Sequence, residues 1–304
     1  MNKVVYFLAI FLALNCLAPT IRAETNEKVL GKTWTLGFFE VSAGIAGNSN
    51  FTYVADTNNA QIQVFDKDQI PVFHFGGYGT KNGQFISIQG IQTSDDEVYI
   101  SSINDYQKNI GEIQVFSDTG IYSRTFKTPD IRSDFIRTSP ILNGNIYGIT
   151  EKTLCVFRNL GNIVNEVSEL NNIPFIDLKD IDTTNTHILL VDSQRRGFVM
   201  AEPDLSKSET FGEEFISIPV AIEASDDRIF VADTKGNLSI FSLSGKYISS
   251  LKIGSDALVN GLLYIGENTL LATTSNPHSI LKISIPTSEI SELEVTPKKN
   301  PVYL

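Results

Sequence analysis

The sequence predicts an all-β fold, a six-bladed β-propeller made of four-stranded antiparallel blades. One segment recurs along the chain, and its six copies begin, 41 to 48 residues apart, at Tyr53, Tyr99, Tyr147, Leu189, Phe230 and Leu271. Each copy alternates polar and apolar residues with the period of a half-buried strand, and we find no helical period in the chain after its first residues. A repeat of this length with four short strands is typical of a propeller, whose blades pack face against face around a channel.

The copies that begin at Tyr53 and Phe230 are the clearest. The first reads YVADTNNAQIQVFDKDQIPVFHFG and the second reads FVADTKGNLSIFSLSGKYISSLKIG. Both contain an aromatic residue, Val-Ala-Asp-Thr, a polar turn, and two alternating runs separated by a second turn. Glycine and aspartate in such turns provide the positive φ angles and local hydrogen bonds that β-hairpins need.

The first copy and the residues after it resemble the NHL repeat. In that family a YVAD-type strand is followed by an I-x-V-F strand, a strand that ends in F-G, and then G-x-x-x-G-x-F. The last part is matched here by Phe75-Gly76, Gly79, Gly83 and Phe85. The fourth copy retains part of it in Phe211-Gly212, Phe215 and Pro219. The resemblance covers about residues 34 to 295 and implies a six-bladed propeller. NHL-type propellers are binding platforms in some proteins and enzymes in others, so the resemblance leaves the activity open.

Residues 1–23 predict a signal peptide. Lys3 provides a positive start, and the apolar run Val4–Leu14 has the length of a signal-peptide core and is short for a membrane span. Ile21 and Ala23 fit the −3 and −1 positions of a cleavage site. We therefore expect a secreted or periplasmic protein.

Removal of that segment would leave residues 24–304 as a single NHL-type propeller domain. Lipid attachment at Cys16, or an uncleaved anchor, is a less favoured alternative and the one expected route to a membrane. The mature domain would then contain one cysteine, Cys155, which we expect to be buried in a strand. A ring without a disulfide must close by strand pairing, and we expect Thr33–Gly37 to pair beside Ile280–Ile283.

The charge of the chain excludes some partners. It has 24 Lys and Arg residues against 35 Asp and Glu residues, which gives a formal net charge of −11. Such a surface repels phosphate backbones and anionic lipids, so nucleic acid is not an expected partner.

Aspartate and histidine are the first candidates for a site. An aspartate ends the second strand in three of the copies: Asp56, Asp192 and Asp233. Metal or substrate binding is one interpretation, but repetition favours a structural carboxylate that accepts N–H bonds from the next turn. The chain has three histidines: His74, His187 and His278. They occupy different positions of the repeat, which argues against one shared zinc ion and against a zinc-dependent amidating lyase, a related propeller enzyme.

Calcium-dependent lactonase and gluconolactonase propellers are also related, and they use a carboxylate and amide cluster on the channel. Four residues of that kind lie near innermost-strand positions: Glu40, Asn143, Asp182 and Asn260. No motif assigns any of them to the channel, and we find no phosphate loop, haem motif or nucleophile elbow. We therefore assign no catalytic, cofactor-binding or metal-binding residue, and calcium is the cofactor that a lactonase resemblance would imply.

Basic residues and glycosylation patterns complete the candidates. Arginines occur in one turn and around the long linker between the second and third copies: Arg195, Arg196, Arg124, Arg132 and Arg137. A solvated loop is favoured there over a specific binding surface. The acceptor pattern N-x-S/T, which matters in a eukaryotic secretory pathway, occurs at Asn50 and Asn237.

The residues whose roles can be interpreted from the sequence therefore belong to the scaffold of the fold. We expect a non-enzymatic module that binds a protein, peptide or glycan outside the cytoplasm through one loop-rich face. The alternative is a metal-dependent hydrolase or lyase, lactonase-like, with its site in the central channel.

Overall fold

The fold is a ring of six antiparallel sheets around a central channel. A computed structural model describes residues 42–94, 96–105, 110–127, 137–158, 161–253, 258–275 and 278–286. No helix occurs among these residues, and so none that could cross a membrane. Thr33–Gly37, Glu40, Arg132 and the predicted signal peptide lie outside the described residues.

The strands follow one another outward from the channel in every blade. Blade 1 contains β1 (Ser42–Gly47), β2 (Thr52–Asp56), β3 (Gln61–Phe65) and β4 (Pro71–Gly76). Blade 2 contains β5 (Ser87–Ser94), β6 (Glu97–Asp105), β7 (Ile110–Ser117) and β8 (Tyr122–Lys127). Blade 3 contains β9 (Arg137–Thr138), β10 (Asn145–Ile149), β11 (Leu154–Arg158) and β12 (Ile163–Val167). A two-stranded hairpin of β13 (Glu169–Leu170) and β14 (Ile173–Pro174) comes next.

Three further blades complete the ring. Blade 4 contains β15 (Leu178–Thr183), β16 (Ile188–Asp192), β17 (Phe198–Ala201) and β18 (Ser208–Phe211). Blade 5 contains β19 (Pro219–Ala224), β20 (Arg228–Asp233), β21 (Asn237–Ser242) and β22 (Tyr247–Lys252). Blade 6 has three described strands, β23 (Val259–Tyr264), β24 (Thr269–Ser275) and β25 (His278–Ser284).

The predicted fold class is confirmed. The residue that begins each sequence copy lies in the second strand of a blade, from Tyr53 in β2 to Leu271 in β24. Each innermost strand contacts the innermost strands of both neighbouring blades, and β23 contacts β1, so the six blades form a closed ring.

Neighbouring blades pack against each other through contacts between a turn glycine and a phenylalanine ring. In blade 5 the turn between the third and fourth strands contains Gly245, whose φ of 79° is in the left-handed region. A Cβ at Gly245 would overlap the ring of Phe211, which ends the outer strand of blade 4. Gly120 on Phe75 and Gly161 on Phe126 repeat this contact between blades 1 and 2 and between blades 2 and 3. The hairpin glycines of the repeat are therefore packing sites as well as turn residues.

The F-G part of the repeat packs differently from the sequence match. A Cβ at Gly76 would lie 2.7 Å from the buried ring of Phe85, as the NHL-like pattern suggests. In blade 4 the corresponding neighbour of Gly212 is Ile216, which is fully buried, whereas Phe215 is 45% exposed. The sequence match at Phe215 is therefore wrong by one position, because the side chain that fills the core need only be apolar.

Candidate functional site

The centre of the ring contains a buried charged layer. Strand pairing places six residues at equivalent positions of the six innermost strands: Gly44, Gly90, Arg137, Asp180, Ala221 and Gly261. Four members of this Arg137 layer are glycine or alanine. They leave room for one long side chain, that of Arg137, to cross the channel.

Arg137 connects several blades from this position. Its Nη2 donates to the carbonyl oxygen of Asn260 in blade 6 at 2.7 Å, and its Nη1 donates to that of Gln89 in blade 2. Its Nε lies 3.4 Å from Oδ1 of Asp180 in blade 4. A Cβ at Gly44 in blade 1 would lie 3.6 Å from Cζ of Arg137. The Arg137 side chain, 12% exposed, therefore binds residues of three other blades and lies beside Gly44 of a fourth.

The channel has little free space at this level. The cavity beside Arg137 has a volume of about 20 Å³, about the room that one water molecule needs. Thr138 also lines it, and its Oγ1 is buried without a hydrogen-bond partner. A Cβ at Gly261 would lie 3.3 Å from the Cα of Gly44 in the neighbouring blade, so the innermost strands of blades 6 and 1 approach each other closely. The free space beside Arg137 is thus about that of one water molecule.

Three carboxylates connect the innermost strands of blades 4, 5 and 6: Asp180 and Asp182 are buried, and Glu223 is half-buried. Oδ2 of Asp180 accepts the N–H of Ile222 at 3.0 Å, and Oδ2 of Asp182 accepts that of Ala224 at 2.7 Å. In the next blade Oε1 of Glu223 accepts the N–H of Tyr264 at 2.8 Å. These bonds satisfy backbone donors along strand edges that face the channel.

Burial strongly perturbs the ionisation of these groups. It raises the pKa of Asp180 to about 6, even though the charge of Arg137 opposes the shift. It raises the pKa of Asp182 to about 7. The pKa of Glu223 is raised well above its usual range, first by burial and then by the charge of Asp182. Burial also lowers the pKa of Arg137, against the attraction of Asp180. Such shifts are common at functional sites, and structural ion-pair networks produce them as well.

The channel groups do not fit a calcium ion. Calcium takes about six to eight oxygen ligands at about 2.3–2.6 Å. Here the carboxylates accept backbone N–H groups, and the positive charge of Arg137 lies beside Asp180. Within the described part of the chain, no three His, Cys, Asp or Glu side chains are arranged to hold a metal ion.

The sequence located part of this site. Asp182 lies at an innermost-strand position as expected, and Asn260 lies in β23 with its carbonyl oxygen bound by Arg137. Asn143 is wrong as a channel candidate, because it lies exposed in the turn before β10 with a φ of 53°. Arg137 was expected in a solvated linker, and this is also wrong, since it begins the innermost strand β9 and is buried. Strand β9 has two residues, too few to show the alternation of polar and apolar residues that identifies a strand. Counting residues back from the start of each sequence copy, however, places Arg137 at an innermost-strand position.

The recurring aspartates are structural, as predicted. Asp56 and Asp233 accept hydrogen bonds from residues of the turn or strand that follows them. Asp192 accepts N–H groups of Ile176 and Asp177, which lead into the innermost strand of its own blade. All three aspartates are buried.

The remaining candidates lie apart from the channel cluster. The histidines belong to three different blades, and His278 begins β25 where a turn was expected. Cys155 is fully buried in β11, as predicted, and burial raises its pKa to about 12. Of the arginines, Arg124 lies in β8 and forms an ion pair with Glu97, and Arg195 in a turn pairs with Asp192.

The two faces of the ring differ in charge. We call the face with the first-to-second and third-to-fourth strand turns the turn face, and the opposite face, with the blade connections, the loop face. The described turns of the turn face carry three lysines and nine carboxylates, which are Asp66, Asp68, Asp96, Asp118, Glu202, Asp204, Asp226, Asp227 and Glu267. The described second-to-third strand turns and blade connections of the loop face together carry five carboxylates and five basic residues. The turn face is therefore acidic and the loop face is balanced.

The loop face also exposes large apolar side chains. Five of them are 43% to 76% exposed: Tyr78, Ile176, Phe215, Ile218 and Leu258. Ile218 and Leu258 directly precede β19 and β23, and their carbonyl oxygens accept the N–H groups of Thr234 and Ser275, at the ends of the second strands of the same blades. They therefore occupy equivalent positions of neighbouring blades at the mouth of the channel.

Comparison with known proteins supports the fold. No protein-family model matches the chain, and no curated protein matches it. Among solved structures, the chain is similar to the WD40 repeats of RRP9, with a TM-score of 0.62 and 9% identity over 84% of this chain and 96% of that chain. It is also similar to virginiamycin B lyase from Staphylococcus aureus, with a TM-score of 0.58 and 17% identity over 83% of this chain and 87% of that chain.

A streptogramin B lyase structure gives a similar result, with a TM-score of 0.59 and 14% identity over 82% of this chain and 85% of that chain. Identities this low show a shared propeller fold. The same fold is thus found in a WD40 repeat protein and in lyases, so it does not determine the function.

Proposed function

We propose that this chain is an exported binding scaffold of the NHL-repeat type that presents its loop face to a protein outside the cytoplasm. The exposed apolar surface at the channel mouth of that face is the observation that carries the proposal. Export rests on the signal-peptide pattern of residues 1–23, and the NHL type rests on the motif from Tyr53 to Phe85.

The composition of the loop face favours a protein as the ligand. Protein interfaces combine an apolar centre with a polar rim. On this face Ile218 and Leu258 directly precede innermost strands, and the described loops of the whole face carry five carboxylates and five basic residues. Phe215 stacks on Tyr247 with ring centroids 3.7 Å apart and is still 45% exposed, so it offers a rigid aromatic surface. Rigid aromatic residues of this kind are enriched among residues that dominate binding energy.

Affinity capture tests this function. The mature chain is immobilised, and proteins of its extracytoplasmic surroundings that it retains are identified. We expect a double variant, Ile218→Asp with Leu258→Asp, to lose the retained protein, because two carboxylates would be desolvated at the centre of the interface. Ile121→Asp is the matched control, since Ile121 is 69% exposed on the turn face. Equal retention by both variants would contradict a loop-face interface.

A metal-dependent hydrolase or lyase remains the second candidate, because the channel contains carboxylates with raised pKa values. The narrow channel and the engaged carboxylates argue against it. Metal analysis of the purified mature chain tests this alternative directly. Stoichiometric calcium or zinc would favour an enzyme over a binding module.

A further inference from the structure

The turn face contains a groove that the loop-face interface does not use. Two cavities, of about 380 Å³ and 220 Å³, share Tyr264 of blade 6 in their linings. The larger one extends to blade 1, where residues 47–52 line it, and the smaller one extends to blades 5 and 4. We call the two cavities together the Tyr264 groove. Residues of four consecutive blades line it, so an extended chain could contact all of them.

Amides and apolar side chains both line this groove. Phe51, Leu263 and Tyr264 provide apolar surface in the larger cavity. Gln69 lines the same cavity, and its Oε1 is buried without a hydrogen-bond partner. Asn185 contributes another amide in the smaller cavity. Side-chain amides donate and accept, and so can pair with a peptide backbone.

Negative charge is concentrated at the blade 5 end of the groove. Asp226 lines the smaller cavity, is exposed, and has no ion pair or hydrogen bond with any described residue. The neighbouring Asp227, in contrast, lies 3.1 Å from Nε of Arg228. Asp182 and Glu223 accept the backbone N–H groups of the lining residues Ala224 and Tyr264, and burial raises the pKa of both carboxyl groups. Asp226 is therefore the charged side chain that the smaller cavity presents to a ligand, whereas Asp66 and Lys67 carry opposite charges in the larger one.

We propose that the Tyr264 groove binds an extended peptide segment that carries lysine or arginine side chains. Charge complementarity selects this occupant, since the described turns of the turn face have nine carboxylates and three lysines. An anionic ligand would be repelled, and a neutral glycan would leave Asp226 without a partner. The proposal does not rest on the loop-face interface, which lies on the opposite side of the ring.

A fluorescence anisotropy titration tests the proposal. The probe is a labelled nonapeptide of alternating lysine and serine, and the comparison peptide has glutamate in place of lysine. We expect the lysine peptide alone to bind the mature chain, with an affinity that falls as salt is added. Asp226→Asn should weaken binding by about three- to fivefold, and Asp226→Lys by about tenfold or more. A photo-crosslinker on the peptide should label residues 47–52, 183–185 or 263–265.

Matched variants distinguish a groove from a general charge effect. Glu213→Lys makes the same change of charge at an exposed position of the loop face and should leave affinity within twofold. An equal loss in Glu213→Lys and Asp226→Lys, or crosslinks confined to the loop face, would overturn the proposal. Competition by neutral chitohexaose that depends on the groove residues would overturn it in favour of a glycan. The Ile218→Asp/Leu258→Asp variant should keep peptide binding, so failure of one surface is separable from failure of the other.

Discussion

Arg137 brings a permanent positive charge into the buried centre of the ring, where it meets the carboxylate of Asp180. Taking both charges out of water is costly, so such a pair often adds little net stability compared with apolar residues. What the pair provides here is connection, because one guanidinium binds backbone carbonyls of blades 2 and 6 as well as the carboxylate of blade 4. Removing one partner alone should therefore be far more damaging than removing both.

We predict that Arg137→Leu lowers the free energy of unfolding by about 3–5 kcal/mol, because Asp180 is left as an unpaired buried carboxylate. Chemical denaturation followed by tryptophan fluorescence and circular dichroism measures the loss. The double variant Arg137→Leu/Asp180→Asn should recover part of it, since no unpaired charge remains. Lys207→Leu is the control, because Lys207 is 79% exposed beside Glu202. A loss in Arg137→Leu no larger than in this control would contradict a role for Arg137 at the centre.

The raised pKa values of the channel carboxylates predict how stability changes with pH. Asp182 has a folded pKa of about 7, whereas an unfolded aspartate titrates near about 4. Between these values the folded state binds more protons than the unfolded state, so the free energy of unfolding falls as pH rises. The lowered pKa values of Glu97 and Asp177 act in a more acidic range and do not cancel this effect.

We predict that the protein loses about 2 kcal/mol of stability between pH 5 and pH 8. The double variant Asp182→Asn/Glu223→Gln should reduce this dependence to the part that comes from Asp180, because amides keep the backbone contacts and do not titrate. Urea denaturation at a series of pH values provides the measurement, and Glu209→Gln on the outer strand β18 is the control. A wild type whose stability rises from pH 5 to pH 8 would contradict the assigned ionisation.

At the scale of strands and turns, the sequence predicted most of what the structure contains. Alternation and turn residues located the second strands of all six blades, because period-two burial is a local property of the chain. The short β9 and the hairpin β13–β14 were not found, because strands of two residues have no measurable period. The ion pair of Arg137 was also missed, since it depends on how blades meet in space.

The fourth strand of blade 6 is the main open prediction at this scale. Five blades have four strands, whereas blade 6 has three among the described residues, and β25 lies at its outer edge. The first described strand, β1, is already the innermost strand of blade 1. A strand that completes blade 6 therefore has to come from one end of the chain, and the run Thr33–Gly37 is our candidate.

We predict that deleting residues 24–37 lowers the melting temperature of the mature chain markedly, because the outer edge of blade 6 loses its partner. Deletion of residues 24–32 is the control, since it keeps Thr33–Gly37. Differential scanning calorimetry compares the two. If both deletions melt like the full mature chain, closure by this segment is excluded.

At the scale of the whole molecule, the ring distributes its acidic residues unequally, so that its two faces differ in charge. The net charge of −11 was visible in the sequence, but its concentration on the turn face was not. The strand order of the structure assigns each turn to one of the two faces, and this assignment shows that the acidic residues are concentrated on the turn face. The same order brings Ile218 and Leu258 together at the opposite channel mouth. Recognition is thus available on the outside of the ring, while the Arg137 layer fills its centre.

The affinity of the chain for the protein that it captures tests this account most directly. Surface plasmon resonance would compare the wild type, the loop-face variant Ile218→Asp/Leu258→Asp and the channel variant Glu223→Gln. We predict that the loop-face variant weakens binding by about tenfold or more, and that Glu223→Gln leaves the Kd within about twofold. Loss of binding in Glu223→Gln with unchanged binding in the loop-face variant would contradict the account and place recognition in the channel.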